Sequence, residues 1–137
     1  MSVPDFIFSL NLILLALDHV VTGGLALFFP VTAMKFYKLV FGAEVPFTAG
    51  HLFILKPWGA LGLFAAAVGI LPIIDPVRYE KILWALILLL VLRICIRLMN
   101  AKNAETFLHM KKCRNSLHIG LILLCAIIIF VQILTLS

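Results

Sequence analysis

Asp18 is the residue with the clearest potential for chemistry, because it lies near the middle of an apolar run from Phe6 to Phe29. A carboxylate at the centre of a membrane-spanning helix costs about 2.5–3.5 kcal/mol, so we expect it to face protein and not lipid. Asn11, Asp18 and Thr22 fall on one stripe of a helix and form a polar seam. This seam indicates either a functional carboxylate, for proton relay or ligand binding, or a hydrogen-bonded structural strut.

Arg93 is the candidate partner for this carboxylate. It lies within the third apolar segment, and an extended guanidinium could reach toward the depth of Asp18. We therefore consider an ion pair between Asp18 and Arg93. The alternative is that Arg93 extends toward the lipid headgroups, which is also the expected behaviour of Arg97 one turn further on.

The histidines raise the question of a haem or chlorophyll ligand. A haem held by two histidines needs both at one depth, but His19 lies mid-span whereas His118 begins the fourth segment. Ligation of a pigment by His19 alone stays open beside a simple hydrogen-bonded imidazole. No motif signals a quinone, haem or chlorophyll. The three cysteines include no CxxC pair, so we predict free thiols and no metal site.

The whole chain is too apolar for a water-soluble domain. Hydrophobic residues make up 64% and charged residues 12% of its 137 residues, against about 45–50% and about 25% in soluble domains. The mean hydropathy is +1.21, so the outer surface must meet lipid. The net charge of +5 comes from basic residues beside apolar segments, which favours anionic lipid headgroups over nucleic acid as a partner.

Four apolar segments approach the length of about 20 residues that a helix needs to cross a bilayer. They cover residues 6–29, 57–74, 79–99 and 117–136. The second begins at Pro57, a residue suited to the first turn of a helix. No Lys or Arg precedes the first segment, so we expect it to be retained and not cleaved as a signal peptide. The prediction is an all-α integral membrane protein, a single domain over residues 1–137 with four transmembrane helices.

The stretch between the first two spans, residues 31–56, combines basic and aromatic side chains. Lys35, Phe36, Tyr37 and Lys38 are typical of segments that lie along a membrane surface. We predict such an interfacial segment, with Tyr37 and Trp58 as belt residues at the membrane boundary. The alternative is an irregular loop without membrane contact.

The distribution of Lys and Arg predicts the orientation in the membrane. One side of the four spans carries Lys35, Lys38, Lys56, Arg97, Lys102, Lys111, Lys112 and Arg114, with Arg93 just inside the membrane. The other side carries only Arg78 and Lys81. By the positive-inside rule the basic loops are cytoplasmic and both termini are non-cytoplasmic, most simply in the cell (inner) membrane.

Small residues recur along one face of the second span, at Gly59, Gly62, Ala66 and Gly69. Such a face lets two helix backbones approach closely, and close approach drives helix association in lipid. We expect the second span to be central and to pack against Gly23-Gly24 or Gly120. The alternative is that these residues are only compatible with a helix.

The order of these features resembles a known group. Gly23-Gly24 leading to Phe28-Phe29-Pro30, the segment Phe36-Tyr37 to Phe41-Gly42, a Gly-rich second span and a third span that ends in Arg are similar to the DoxX-like superfamily of small four-span membrane proteins. The resemblance implies the same architecture. It also implies kinship with proteins that include subunits of quinone-linked membrane oxidoreductases, but it carries over no catalytic residue.

Three functions are compatible with this reading. The first, which we favour, is an accessory or scaffold subunit of a larger membrane complex, energy-transducing or redox in kind, without catalytic activity of its own. The second is a quinone-linked oxidoreductase subunit that uses Asp18, His19 and Arg93 around an intramembrane pocket. The third is a small proton-coupled transporter built on the Asp18 seam. Other membrane subunits or further copies of this chain are the expected protein partners.

Overall fold

The structure, a computed structural model, describes residues 3–44 and 48–136. Six α-helices and one short 3₁₀ helix make up most of this part of the chain. They are α1 (Val3–Phe28), α2 (Pro30–Phe41), α3 (Ala49–Gly69), the 3₁₀ helix (Leu71–Ile73), α4 (Glu80–Met99), α5 (Ala101–Leu108) and α6 (Lys112–Leu136). Four helices are long and apolar enough to cross a membrane: Pro4–Phe28, Phe53–Ile73, Glu80–Met99 and Lys112–Leu136. The predicted all-α bundle of four membrane-spanning helices is confirmed.

The second span starts earlier than the sequence predicted. Thr48 precedes α3, and its side-chain oxygen accepts a hydrogen bond from the His51 amide at 3.3 Å, which caps the helix. Pro57 therefore lies inside α3 and not in its first turn. The cap explains the difference, because it stabilises two further turns ahead of the proline.

The predicted interfacial segment is largely helical. Pro30, whose fixed φ suits a first helical turn, opens α2 directly after α1. Gly42 ends α2 with φ 67°, a conformation that glycine adopts without a steric penalty. The remainder is the connection to α3 and the first turns of α3, and residues 45–47 lie outside the described part.

The bundle has two distinct ends because its long helices alternate in direction. The end that we call the basic end holds α2, α5, the ends of α1 and α4 and the starts of α3 and α6. Here the amide of Glu44 donates to the carbonyl oxygen of Leu108 at 2.8 Å, and Nη1 of Arg114 donates to the Leu39 carbonyl oxygen at 3.0 Å. The two loops at this end are therefore joined. The opposite end, which we call the turn end, holds the 3₁₀ helix.

The first span, and not the second, occupies the centre of the bundle. α1 contacts α2, α3 and α6, whereas α3 packs mainly on α1 and touches α4 only sparsely. The tightly packed core lies in the half toward the turn end and joins α1, α4 and α6. Its buried residues are Phe8, Leu12, Leu83, Leu86, Leu90, Ala126, Ile129 and Ile133. The half toward the basic end holds further buried residues, among them Ala26, Ala33 and Met110.

The small-residue face of α3 lies against α1. A Cβ atom on Gly59 would stand 2.6 Å from the Gly23 carbonyl oxygen, and one on Gly62 would stand 3.3 Å from the Gly23 Cα. Ala66 and Gly69 continue this buried face, with Gly69 next to Leu86 of α4. Of the three glycines proposed as partners for this face, Gly23 lies at the contact, and Gly24 and Gly120 do not.

Candidate functional site

Two adjoining cavities lie in the half of the bundle toward the basic end. The one that we call the lateral cavity has a volume of about 260 Å³ and lies between α1, α3 and α4. The basal cavity, of about 290 Å³, lies closer to the basic end, beneath α2 and the residues after α5. Residues common to both linings are Asp18, Thr22, Tyr37 and Arg93. The small residues that let α3 approach α1 also leave room for the lateral cavity.

His19 links α1 to α4 at the lateral cavity. Its Nδ1 atom lies 2.8 Å from the carbonyl oxygen of Leu15, and its Nε2 atom lies 3.3 Å from Nη1 of Arg93. A carbonyl oxygen only accepts and a guanidinium only donates. The imidazole therefore carries its proton on Nδ1 and accepts at Nε2, which makes it a neutral acceptor for Arg93.

Asp18 stands beside His19, with Oδ2 3.8 Å from the His19 Nδ1 atom. About 45% of its side-chain surface is accessible, and it lines both cavities. Among the described residues no direct Asp18–Arg93 contact falls within ion-pair distance. Arg93 donates to His19 instead. Asp18 and Arg93 therefore both line the two cavities without pairing directly, and His19 contacts each of them.

The predicted polar seam is not continuous. Asn11 is buried in the half toward the turn end, and its Nδ2 atom donates to the Cys125 carbonyl oxygen of α6 at 3.3 Å. Thr22 donates through Oγ1 to the backbone oxygen of Asp18 at 2.6 Å and lines the cavities. The helix stripe aligns the three residues, but α6 covers Asn11 and leaves only Asp18 and Thr22 at the site.

Tyr37 is a site residue that sequence reasoning assigned to the membrane boundary. α2 folds back against α1, and the Tyr37 hydroxyl donates to the Thr22 carbonyl oxygen at 3.3 Å. Burial, and then the negative charge of Asp18, raises the pKa of Tyr37 above its ordinary value of 10.0. The hydroxyl is therefore a neutral donor at the junction of the two cavities. The signal in the sequence was Pro30, which places a helix and its aromatic face directly after α1.

Arg97 is a second site residue that the sequence did not single out. Its Nη1 atom donates to Oδ1 of Asn115 on α6 at 3.0 Å, and the side chain lines the basal cavity. Arg93 and Arg97 thus lie one turn apart on α4 and both face this cavity. The partner of Arg97 is Asn115, a buried amide in the first turn of α6 at the basic end.

The geometry of the site also bears on whether His19 could ligate a pigment and whether the described residues could hold a metal ion. Both nitrogen atoms of His19 have hydrogen-bonding partners, so pigment ligation would require the Arg93 contact to break. Within residues 3–44 and 48–136, no group of three His, Cys, Asp or Glu side chains is arranged to hold a metal ion.

The lateral cavity also has an apolar side, which lies at the sparse contact between α3 and α4. Trp58 and Leu61 of α3 line it while 66% and 60% exposed, and Leu89 of α4 lines it while 36% exposed. The cavity therefore opens on the outer face of the spans.

Comparisons of the chain with protein-family models, with curated proteins and with solved structures find no match. The DoxX-like resemblance stays a prediction from sequence motifs.

Proposed function

We propose that this protein binds a small amphipathic molecule that it takes up from the membrane, with the polar head among Asp18, Tyr37 and Arg93. The observation that carries the proposal is that these three residues belong to the linings of both cavities. One cavity opens between apolar side chains of two spans and the other leads to the basic end, so an amphipath fits with its tail toward lipid.

The size and lining of the site support this function. Small-molecule pockets usually have volumes of about 300–1,000 Å³ and are mostly apolar with a few polar groups. The two cavities adjoin and together match this description. His19 and Tyr37 hold fixed donor and acceptor positions because each is hydrogen-bonded to the backbone of α1. A quinone-linked or proton-coupled role would use the same residues and remains a narrower form of this proposal.

A pair of alanine substitutions on α3 tests the proposal. Ala65 lines the lateral cavity, whereas Ala67 is exposed and lines neither cavity. The protein purified in mild detergent would be extracted with organic solvent, and the bound amphipaths would be quantified by mass spectrometry. We expect Ala65→Phe to deplete a molecule that the wild type and Ala67→Phe both retain. Equal retention by a folded Ala65→Phe variant would refute the proposal.

An accessory or scaffold role in a larger membrane complex is the second candidate. The one-sided packing of α3 favours it, because Phe53 and Phe64 lie on an apolar face that no described residue covers. Cross-linking in native membranes through a photoreactive group at Phe64 would test it, with one at Leu124 on the outer face of α6 as the control. Adducts with another membrane subunit, or with a second copy of this chain, at the first position alone are the expected result.

The membrane in which the protein resides and its orientation there are also proposals. The four spans make it a multi-pass membrane protein. We propose the cell membrane, with the basic end toward the cytoplasm and in contact with anionic headgroups, on the strength of the Lys and Arg distribution.

A further inference from the structure

The basal cavity carries more positive than negative charge. Arg93 and Arg97 both line it, and Asp18 is the one carboxylate in its lining. The balance is +1 with Asp18 ionised and more positive with Asp18 protonated. An unbalanced cation at this depth between membrane spans is unfavourable, so the site favours a negatively charged guest.

The other carboxylates of the chain do not correct this balance. The sequence has six Asp and Glu residues in total. Glu44 pairs with Lys38 at 2.7 Å, which lowers the pKa of its carboxyl, and Glu105 pairs with Lys112 at 3.5 Å. The remaining three lie at the turn end of the bundle: Asp5, Asp75 and Glu80.

The two arginines retain donors for a guest. Each guanidinium has five N–H groups, and each makes one hydrogen bond to a neighbouring helix, Arg93 to His19 and Arg97 to Asn115. Those bonds fix the position of each guanidinium group and leave its other N–H donors available. Planar guanidinium groups are well suited to carboxylate and phosphate oxygen atoms.

We propose that the molecule bound at this site is a monoanionic amphipath, whose charged oxygen atoms lie between Arg93 and Arg97 while its apolar tail passes through the lateral cavity to the gap between α3 and α4. This inference rests on the proposed function and specifies its ligand. The shared chemistry is one negative charge on oxygen at the head of an apolar tail. A free fatty acid and a phosphodiester lipid both provide it.

Trp58 supplies a direct assay. The chain has two tryptophans; Trp58 lines the lateral cavity, while Trp84 packs on Phe130 with ring centroids 6.2 Å apart. In a Trp84→Phe background, bromine atoms on a bound tail would quench Trp58 alone. The probes are dibrominated stearic acid, its methyl ester and dibrominated phosphatidylglycerol, titrated into detergent-solubilised protein. A pH of about 9 is used because the apolar surroundings of a micelle raise the pKa of a carboxylic acid.

We expect saturable quenching by the acid, with an affinity about tenfold or more above that of the neutral ester. Arg97→Gln should remove most of this difference, Arg97→Lys should retain it, and Lys111→Gln, which changes a basic residue outside both cavities, should have no effect.

Tighter saturable binding of phosphatidylglycerol than of the acid would identify a phosphodiester lipid as the source of the charge. Binding of the acid and the ester with equal affinity would overturn the inference while leaving the proposed function intact. Displacement of the acid by a neutral short-chain quinone of equal affinity would have the same consequence. Absence of saturable quenching by any probe would overturn both.

Discussion

Nη1 of Arg93 lies 3.3 Å from Nε2 of His19 and so joins α4 to α1 at a level outside the described core cluster. The imidazole is held from its other side by the Leu15 carbonyl oxygen at 2.8 Å. This arrangement fixes the direction of the guanidinium and keeps it away from direct contact with Asp18. The site is therefore organised by a neutral histidine as well as by charges.

Arg93 and His19 should show a measurable energetic coupling. Removing either partner with His19→Phe or Arg93→Leu should lower the free energy of unfolding by about 1 kcal/mol, because it removes a part-buried hydrogen bond. The double variant should lose less than the sum, with a coupling of about 0.5–3 kcal/mol. Unfolding in mixed micelles measures these values. His118→Phe combined with Arg93→Leu is the control, since His118 packs on Phe41 at 4.8 Å, and a coupling there of the same size would contradict the assignment.

The contact between α1 and α3 should tolerate no added atoms at Gly59. A Cβ atom there would meet the Gly23 oxygen and the Leu27 nitrogen, both at 2.6 Å, whereas one on Gly120 would meet nothing within 4 Å. Gly59→Ala should therefore cost about 1–3 kcal/mol through overpacking. Gly120→Ala should be neutral or stabilising by up to about 1 kcal/mol, through its helix propensity. Thermal unfolding in detergent compares them, and equal midpoints would show that the two backbones do not touch at Gly59.

Most of the fold could be predicted from the sequence because lipid imposes a simple rule on it. Every backbone group in the bilayer must be hydrogen-bonded within the chain, so long apolar runs become helices. The start of α3 was missed because it depends on the Thr48 cap, a local hydrogen bond that hydropathy does not register. The central position of α1 was missed because the glycines of α3 identify a close contact but not which helix contacts most neighbours.

The site was predictable only in part, for a physical reason. Asp18, His19, Thr22 and Arg93 were found because polar groups are costly in a span and therefore conspicuous. Tyr37 and Arg97 were missed because both types are ordinary at a membrane boundary, and only the fold turns them inward. Tyr37 depends on α2 folding back on α1, and Arg97 depends on Asn115 of α6.

The ionisation of Tyr37 should report the charge on Asp18. In a Tyr79→Phe variant Tyr37 is the sole tyrosine, and its pKa is raised above 10.0 by burial and by Asp18. As the pH rises past 10.0 the unfolded chain loses this proton first, so the contribution of Tyr37 to stability should decline there. Adding Asp18→Asn should move the absorbance midpoint of tyrosinate formation downward. Adding Asp75→Asn, at the turn end, should leave it unchanged, and an equal shift from both would contradict the proximity of Asp18.

The orientation in the membrane can be tested with the native cysteines. Cys113 is exposed at the start of α6, at the basic end, and the predicted orientation places it in the cytoplasm. In a variant with Cys95 and Cys125 changed to Ser, an impermeant maleimide should label Cys113 only after the membrane is opened. A Val77→Cys variant lacking Cys113, with its cysteine at the turn end, should be labelled in intact cells. The reverse pattern would invert the topology and would place the basic end outside.

Replacing Asp18 with Asn separates a structural from a functional carboxylate. The Asp18 side chain is 45% accessible and its one ion-pair contact, to His19 at 3.8 Å, is long. A partly solvated pair of this kind contributes roughly 0–1 kcal/mol, so Asp18→Asn should lose little stability. The same change removes the negative charge that faces Arg93 and Arg97, which should tighten binding of dibrominated stearic acid about threefold to tenfold. The Trp58 quenching assay and an unfolding curve on the same preparation give both quantities. A large loss of stability that Arg93→Leu restores would instead make Asp18 a strut, because removal of one charge would then have left its partner uncompensated.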